Sequence, residues 1–337
     1  MIAALRHRGP DDCGAYQDGR IALGMSRLKI IDVTQAGHQP MSNAEQTVTV
    51  VYNGEMFNFR AERKVLEEQG HTFSSSSDTE VVLRLYERYG DDFLCRMRGM
   101  FALAIYDRRR GPGKERLLLA RDHLGIKPLL YAEVGGRLVF ASELKALIAS
   151  GLIDRAVDPE ALRVLLTFGS IYQPRTMLRD VRMLMPGHRM IVEGAKSRIE
   201  RYWSLGTDRC ARLRSLPYAE QVQALSDAVA ESVRLHMVSD VPLGAFLSGG
   251  VDSSILVALM AREAGQRIKT FSVGFETEGA HIDESNEARA TARFLGTDHT
   301  HVQVRGESVR DELRTIAGAL DQPSVDGVNS YFVSRAA

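Results

Sequence analysis

Apolar and polar positions change their rhythm partway along the chain. Over the first ~200 residues, short β-forming runs dominate: RIALGMSRLKIID (20–32), QTVTVVYNGEMFN (46–58), MFALAIYDRRR (100–110), ERLLLARD (115–122) and LVFASELKAL (138–147). The pattern predicts a strand from Thr47 to Tyr52 stopped by Asn53-Gly54, two strands around the RGPGK turn, and a strand running into a helix at 138–147. Two segments carry a helical period instead. NFRAERKVLEEQG (58–70) ends at Gly70. DTEVVLRLYERYG (78–90) has Asp78 to cap it, Val81, Val82, Leu85 and Tyr86 on one face, and Gly90 to stop it. Short strands with two amphipathic helices predict a layered α+β domain.

WSLGTDRCARLRSLP (203–217) is polar and non-periodic, and beyond it strands and helices alternate. A long amphipathic helix (218–240) leads into LGAFL (243–247), then SGGVDSS, a helix (ILVALMAREAG), a strand (268–275), a helix (284–296), a strand (299–304) and a helix from about Glu307. Such alternation predicts a parallel sheet with helices on both faces. The domains expected are 1–203, a linker 204–217, and 218–337.

Composition narrows the class. A length of 337 residues fits two domains. Lys+Arg and Asp+Glu balance at 43 each, so the basic excess of a nucleic-acid binder is missing. No stretch reaches the ~18 continuous apolar residues of a membrane helix. MIAALRHRGPDD lacks a signal peptide's apolar core. Cys13, Cys95 and Cys210 are odd in number and far apart, which fits neither a disulfide framework nor a CxxC metal site and suits a reducing cytoplasm.

FLSGGVDSS (246–254) ends the first strand of the second domain, where parallel sheets bind ligands. Gly249 and Gly250 let backbone N–H groups approach an anion, and the helix starting near Asp252-Ser253 aims its positive end there. Ser248, Ser253 and Ser254 add hydroxyls. The lysine of a Walker loop is missing, and Asp252 stands in the loop as a ligand for Mg²⁺. Pyrophosphate with magnesium is predicted, hence chemistry at an α-phosphate. A serine-capped strand–helix turn is the plainer alternative.

SGGVDSS, TFSVGF (270–275) and DESNEARATARFLGTDHTHVQV (283–304), with RHRGPDDCG (6–14), SRLKIID (26–32), QPM (39–41), YNGEMFN (52–58), SDTEVVLRLYERYG (77–90), GMFALAIYD (99–107), ARDHLGIKPLLY (120–131) and ASELKAL (141–147), resemble glutamine-hydrolysing asparagine synthetases in order and over nearly the whole chain. The resemblance implies an α+β layered domain of the N-terminal-nucleophile hydrolase type, followed by part of an α/β doubly wound ATP-pyrophosphatase domain. It assigns Arg27 to the α-carboxylate of glutamine, Ile30 and Ile31 to backbone contacts, Glu55 and Asp78 to the α-ammonium, and Asn53 with the Gly54 N–H to an oxyanion hole. It assigns Phe246, Ser248, Gly249, Gly250, Asp252, Ser253, Ser254, Val273 and Gly274 to ATP and Asp252 to Mg²⁺, with aspartate as the acceptor. A homodimer stays open.

The family's nucleophile is a cysteine at the mature N-terminus, whereas this chain starts Met1-Ile2. Cys13 has no free α-amino group to serve as its base and reads as incidental. Truncation at both ends is therefore the expectation, with a second glycine-rich acidic loop expected beyond Ala337. Two other functions compete: amidation of a different carboxylate, and a non-catalytic binding module.

Overall fold

The computed structural model describes residues 1–206, 211–276 and 285–336. The chain divides into two compact units, Met1–Gly206 and Thr207–Ala337.

The first unit opens with a 3-10 turn, Ile2–Arg8, and a hairpin of β1 (Asp12–Asp18) and β2 (Ile21–Arg27). There follow β3 (Met41–Ser42), β4 (Val48–Met56), α1 (Phe59–Glu68), α2 (Asp78–Tyr89), β5 (Gly99–Asp107), β6 (Arg116–Arg121), β7 (Leu130–Val134), β8 (Arg137–Ala141), α3 (Leu144–Ile148), α4 (Pro159–Phe168), β9 (Arg182–Met183), β10 (His188–Glu193) and β11 (Lys196–Arg201). Six of these strands form an antiparallel sheet in the order β11-β10-β6-β5-β4-β3, and β8-β7-β9 form a smaller one. Val51, Ala102, Ala104, Leu119 and Met190 share one core cluster with Leu23 of β2, against which Leu138 and Phe140 of β8 also pack. Burial on both faces explains why β5 is apolar almost without alternation.

Two expectations are corrected here. β4 does not stop at Asn53-Gly54 but runs to Met56, with Asn53 opposite Ala102 and Gly54 opposite Phe101. Asn-Gly favours a turn only where the chain reverses; here β5 continues alongside, and Gly54 is required because a Cβ would collide with the Met100 carbonyl. Ser77, not Asp78, caps α2: its hydroxyl accepts from the Thr79 N–H, and Asp78 is the first helical residue.

The second unit contains α5 (Ala211–Arg214), α6 (Tyr218–His236), β12 (Gly244–Phe246), α7 (Val251–Glu263), β13 (Lys269–Glu276), α8 (Ser285–Leu295), β14 (Asp298–Arg305), α9 (Gly306–Ala319) and α10 (Gly327–Ala336). The three strands are parallel in the order β12-β13-β14. Leu247 and Val257 pack with Ala288 and Ala292 of α8, while Val304 packs with Ile316 of α9 and Phe332 of α10. Helices thus serve two separate apolar clusters, as in a sheet covered on both faces. Among the described residues no helix is long and apolar enough to cross a membrane.

Candidate functional site

A cavity of about 1200 Å³ lies in the first unit. Every residue of β2 and of β8 lines it, so both strands face it edge-on rather than by one face. Its floor includes Val51, Asn53, Ala102 and Leu129, and its charged groups include Arg8, Arg27, Glu55, Asp78 and Lys127. All seven residues assigned to glutamine by resemblance line this one cavity.

Arg27 ends β2 and is 5% exposed. Its Nη2 donates to the carbonyls of Ile31 (3.0 Å) and Asp32 (2.8 Å). The equally buried Nη1 has no hydrogen-bond partner among the described residues. Gly37 packs against the guanidinium, where any Cβ would collide with it. Burial pulls the Arg27 pKa down, and Asp32, Asp12 and Asp78 oppose that pull. The Ile31 carbonyl accepts from Arg27, so the Ile30-Ile31 backbone and the guanidinium hold each other in place at the cavity wall.

The outer edge of β4 supplies the next group. The Gln39 side chain accepts from the Tyr52 N–H (2.7 Å) and donates to the Tyr52 carbonyl (3.1 Å). Four residues on, the Met56 N–H donates to Asp78 Oδ2 (2.9 Å). In an antiparallel ladder, amides two apart point to the same edge, so the Gly54 N–H points there too, between these two capped positions. No side chain among the described residues caps it. Asn53 Nδ2 lies 3.4 Å from Ser142 Oγ, which also lines the cavity.

Asp78 is 4% exposed. Burial raises its pKa to about 6; the Met56 N–H pulls it back and the Glu55 charge pushes it up again. Two acidic groups in a desolvated wall are poised for a cation such as an α-ammonium.

Gln39 and Lys127 are cavity residues to which the sequence reading gave no role, although both stand in the quoted QPM and ARDHLGIKPLLY stretches. The Lys127 loop is held by two buried neighbours. Asp122 is fully buried and accepts from the N–H groups of Phe101, Leu124, Ile126 and Lys127. Arg121 donates to the carbonyls of Lys127, Gly125 and Leu184 and to Gln173 Oε1. Cys13 is exposed on β1 and outside the cavity lining. Cys210 lies outside the described residues.

In the second unit Gly250 is the N-cap of α7, so the SGGVDSS loop feeds directly into a helix N-terminus. The Leu247 N–H donates to the Phe271 carbonyl (2.8 Å), extending β12 along β13 toward the loop. Val273 and Gly274 lie farther along β13. The serine hydroxyls turn inward: Ser248 Oγ is 2.8 Å from Ser253 Oγ and accepts from the Gly250 N–H, while Ser254 Oγ donates to the Gly250 carbonyl. What the loop offers an anion is therefore the first-turn amides of α7, which have no partner within the helix. Phe246 and Asp252 are exposed. Among the described residues no three His, Cys, Asp or Glu side chains gather as a metal site, so Asp252 is not part of a preformed three-ligand cluster. That fits Mg²⁺ held mainly by phosphate oxygens. A hydrogen-bonded row, Thr270–His299–Ser272–His301, crosses β13 and β14, within the quoted TFSVGF and HTHVQV stretches, whose residues have no expected role.

Comparison with known proteins fits this geometry. The family described as glutamine amidotransferase domain matches residues 1–203, and that described as asparagine synthase matches 224–337. The chain belongs to the glutamine-hydrolysing asparagine synthetase family. Asparagine synthetase (glutamine-hydrolysing) 1 of Bacillus subtilis is 37% identical over 341 residues, covering 100% of this chain and 52% of that protein. Asparagine synthetase (glutamine-hydrolysing) 3 of the same organism is 30% identical, over 98% and 55%. The amidase chyE of Penicillium rubens is 33% identical, over 98% and 50%. The chain spans about half the length of these relatives.

Proposed function

We propose that the first unit binds L-glutamine as an amide donor and that the second contributes part of an ATP site that adenylates the aspartate β-carboxylate. Ammonia from glutamine then displaces AMP, giving asparagine, glutamate, AMP and pyrophosphate. In this reading Arg27 takes the α-carboxylate, Glu55 and Asp78 take the α-ammonium, and Asn53 with the Gly54 N–H faces the carboxamide oxygen as charge develops on it. The first-turn amides of α7 receive pyrophosphate, and Asp252 shares Mg²⁺ with it. The cation would offset phosphate charge. The same reading places the protein in the cytoplasm, with a homodimer as a candidate assembly.

The observation that carries the reading is Arg27: a buried guanidinium with one nitrogen fixed on backbone carbonyls and the other unpaired, in the cavity that holds Asp78, Glu55 and Asn53. Titration calorimetry of the chain with L-glutamine tests it. Binding is expected for the native chain, and Arg27→Met should weaken it by about 10- to 100-fold, the worth of a hydrogen bond between charged partners. Unchanged affinity in the variant would refute the assignment.

A second reading, amidation of a different carboxylate, stands beside it because a relative named as an amidase, chyE, matches over 98% of the chain. Pyrophosphate exchange by the longer protein that does not respond to aspartate would favour it.

A further inference from the structure

Resting on the glutamine reading above, we propose that Lys127 senses charge at the side-chain end of the amino-acid ligand: its ammonium receives the γ-carboxylate of L-glutamate, and the oxyanion that precedes it, but not the neutral carboxamide of L-glutamine.

The loop geometry carries this. Asn53, Ala102 and Arg121 form one cross-strand row over β4, β5 and β6. Two strand spacings of about 4.8 Å separate the ends of that row. Arg121 Nε donates to the Lys127 carbonyl (2.7 Å), which anchors the Lys127 backbone at the row's far end. From there Lys127 lines the same cavity as Asn53 and Glu55, and the Glu55 charge acts on its ammonium. The ammonium makes no hydrogen bond or ion pair among the described residues, whereas Arg8, another cation of the cavity, is held at 3.0 Å by Glu143.

A surface lysine needs no such support. Here Asp122 accepts four backbone N–H groups and Arg121 reaches four acceptors, all within or around the loop that presents Lys127. Burial also lowers the Lys127 pKa, with the Glu55 charge acting against it, so the ammonium is partly stripped of water before any ligand arrives. Hydrolysis turns the neutral amide end of glutamine into an anion. A cation at that end therefore distinguishes product from substrate and favours the charge that builds between them.

The test is calorimetric titration of the full chain with L-glutamate and with L-glutamine. Lys127→Met should weaken glutamate by about tenfold, the worth of one charge-assisted hydrogen bond, and move glutamine by less than about twofold. Lys127→Arg should restore most of the glutamate affinity. On the native chain, added salt should weaken glutamate more than glutamine, an arm that needs no variant. Glutamine binding with an unchanged glutamate-to-glutamine ratio in Lys127→Met would overturn the Lys127 proposal alone. A native chain that binds neither amino acid would overturn it together with the glutamine reading.

Discussion

Asp78 combines a folding cost with the ligand role proposed for it. Its folded-state pKa, about 6, lies above the ordinary 3.8 because the carboxyl is buried next to Glu55. The native state therefore holds a proton that the unfolded chain has already lost between those two values, and stability falls as pH rises through that window. A shift of about two units is worth roughly 3 kcal/mol. Asp78→Asn removes the buried charge and keeps an oxygen for the Met56 N–H. It should therefore be more stable than the native chain at pH 8 and no more stable at pH 4, as read by urea unfolding. Glutamine affinity should run the other way, falling as pH drops below about 6 in the native chain, because the α-ammonium needs the ionised carboxylate. Affinity flat from pH 8 to 5 would remove Asp78 from the ligand contacts. From sequence, Asp78 was nameable by resemblance, but its role as a mere cap was also open. Ser77 settles the cap: it is the N-cap residue, and its hydroxyl accepts the Thr79 N–H. Arg121 and Asp122 stand in the quoted ARDHLGIKPLLY stretch, but the bonds of Arg121 to Gln173 and Leu184, 52 and 63 residues away, leave no local pattern to read.

β4 is the element on which the site is built. One edge pairs with β5 over its whole length, and the other presents three amides in turn: Tyr52 capped by Gln39, Gly54 open, and Met56 capped by Asp78. The turn chemistry of Asn-Gly argued for a stop at this point, but the pairing of Asn53 and Gly54 with Ala102 and Phe101 prevails. Local propensity describes an isolated chain, while β5 adds a full ladder that only the tertiary fold supplies. The glycine is needed for contact rather than for a turn. Gly54→Ala would push a methyl group into the Met100 carbonyl and the Phe101 side chain, and should destabilise the chain by about 1–3 kcal/mol in denaturant unfolding. A stability loss under 0.5 kcal/mol would mean the ladder is looser at this point than described. Helices α1, α2 and α8 were legible because their apolar period is strong and a glycine follows each; α6 was legible as a helix but ends at His236 and not at 240, because nothing in the sequence marks its stop. β3 and β9, two residues each, were not, because a bridge that short leaves no periodicity to read.

At the scale of the molecule, the two units differ in how much of a site each contains. The first encloses a cavity with charged walls, all drawn from residues 1–206. The second presents one loop whose hydroxyls bond to the loop itself, with Val251, Ile255 and Leu256 of α7 exposed beside it. The β/α alternation made the second unit's parallel sheet readable, and the loop motif identified its ligand-facing end. The inward turn of the serines was not readable, because it depends on which of several hydroxyl rotamers the loop closure selects. The glutamine site proposed for the first unit is therefore the part that binding can test. The most direct measurement is a crystal structure of this chain soaked with L-glutamine. The α-carboxylate is expected on Arg27 Nη1, the α-ammonium between Glu55 and Asp78, and the carboxamide oxygen at the Gly54 N–H. Glutamine bound outside the cavity, or seated with its carboxylate turned away from Arg27, would contradict it.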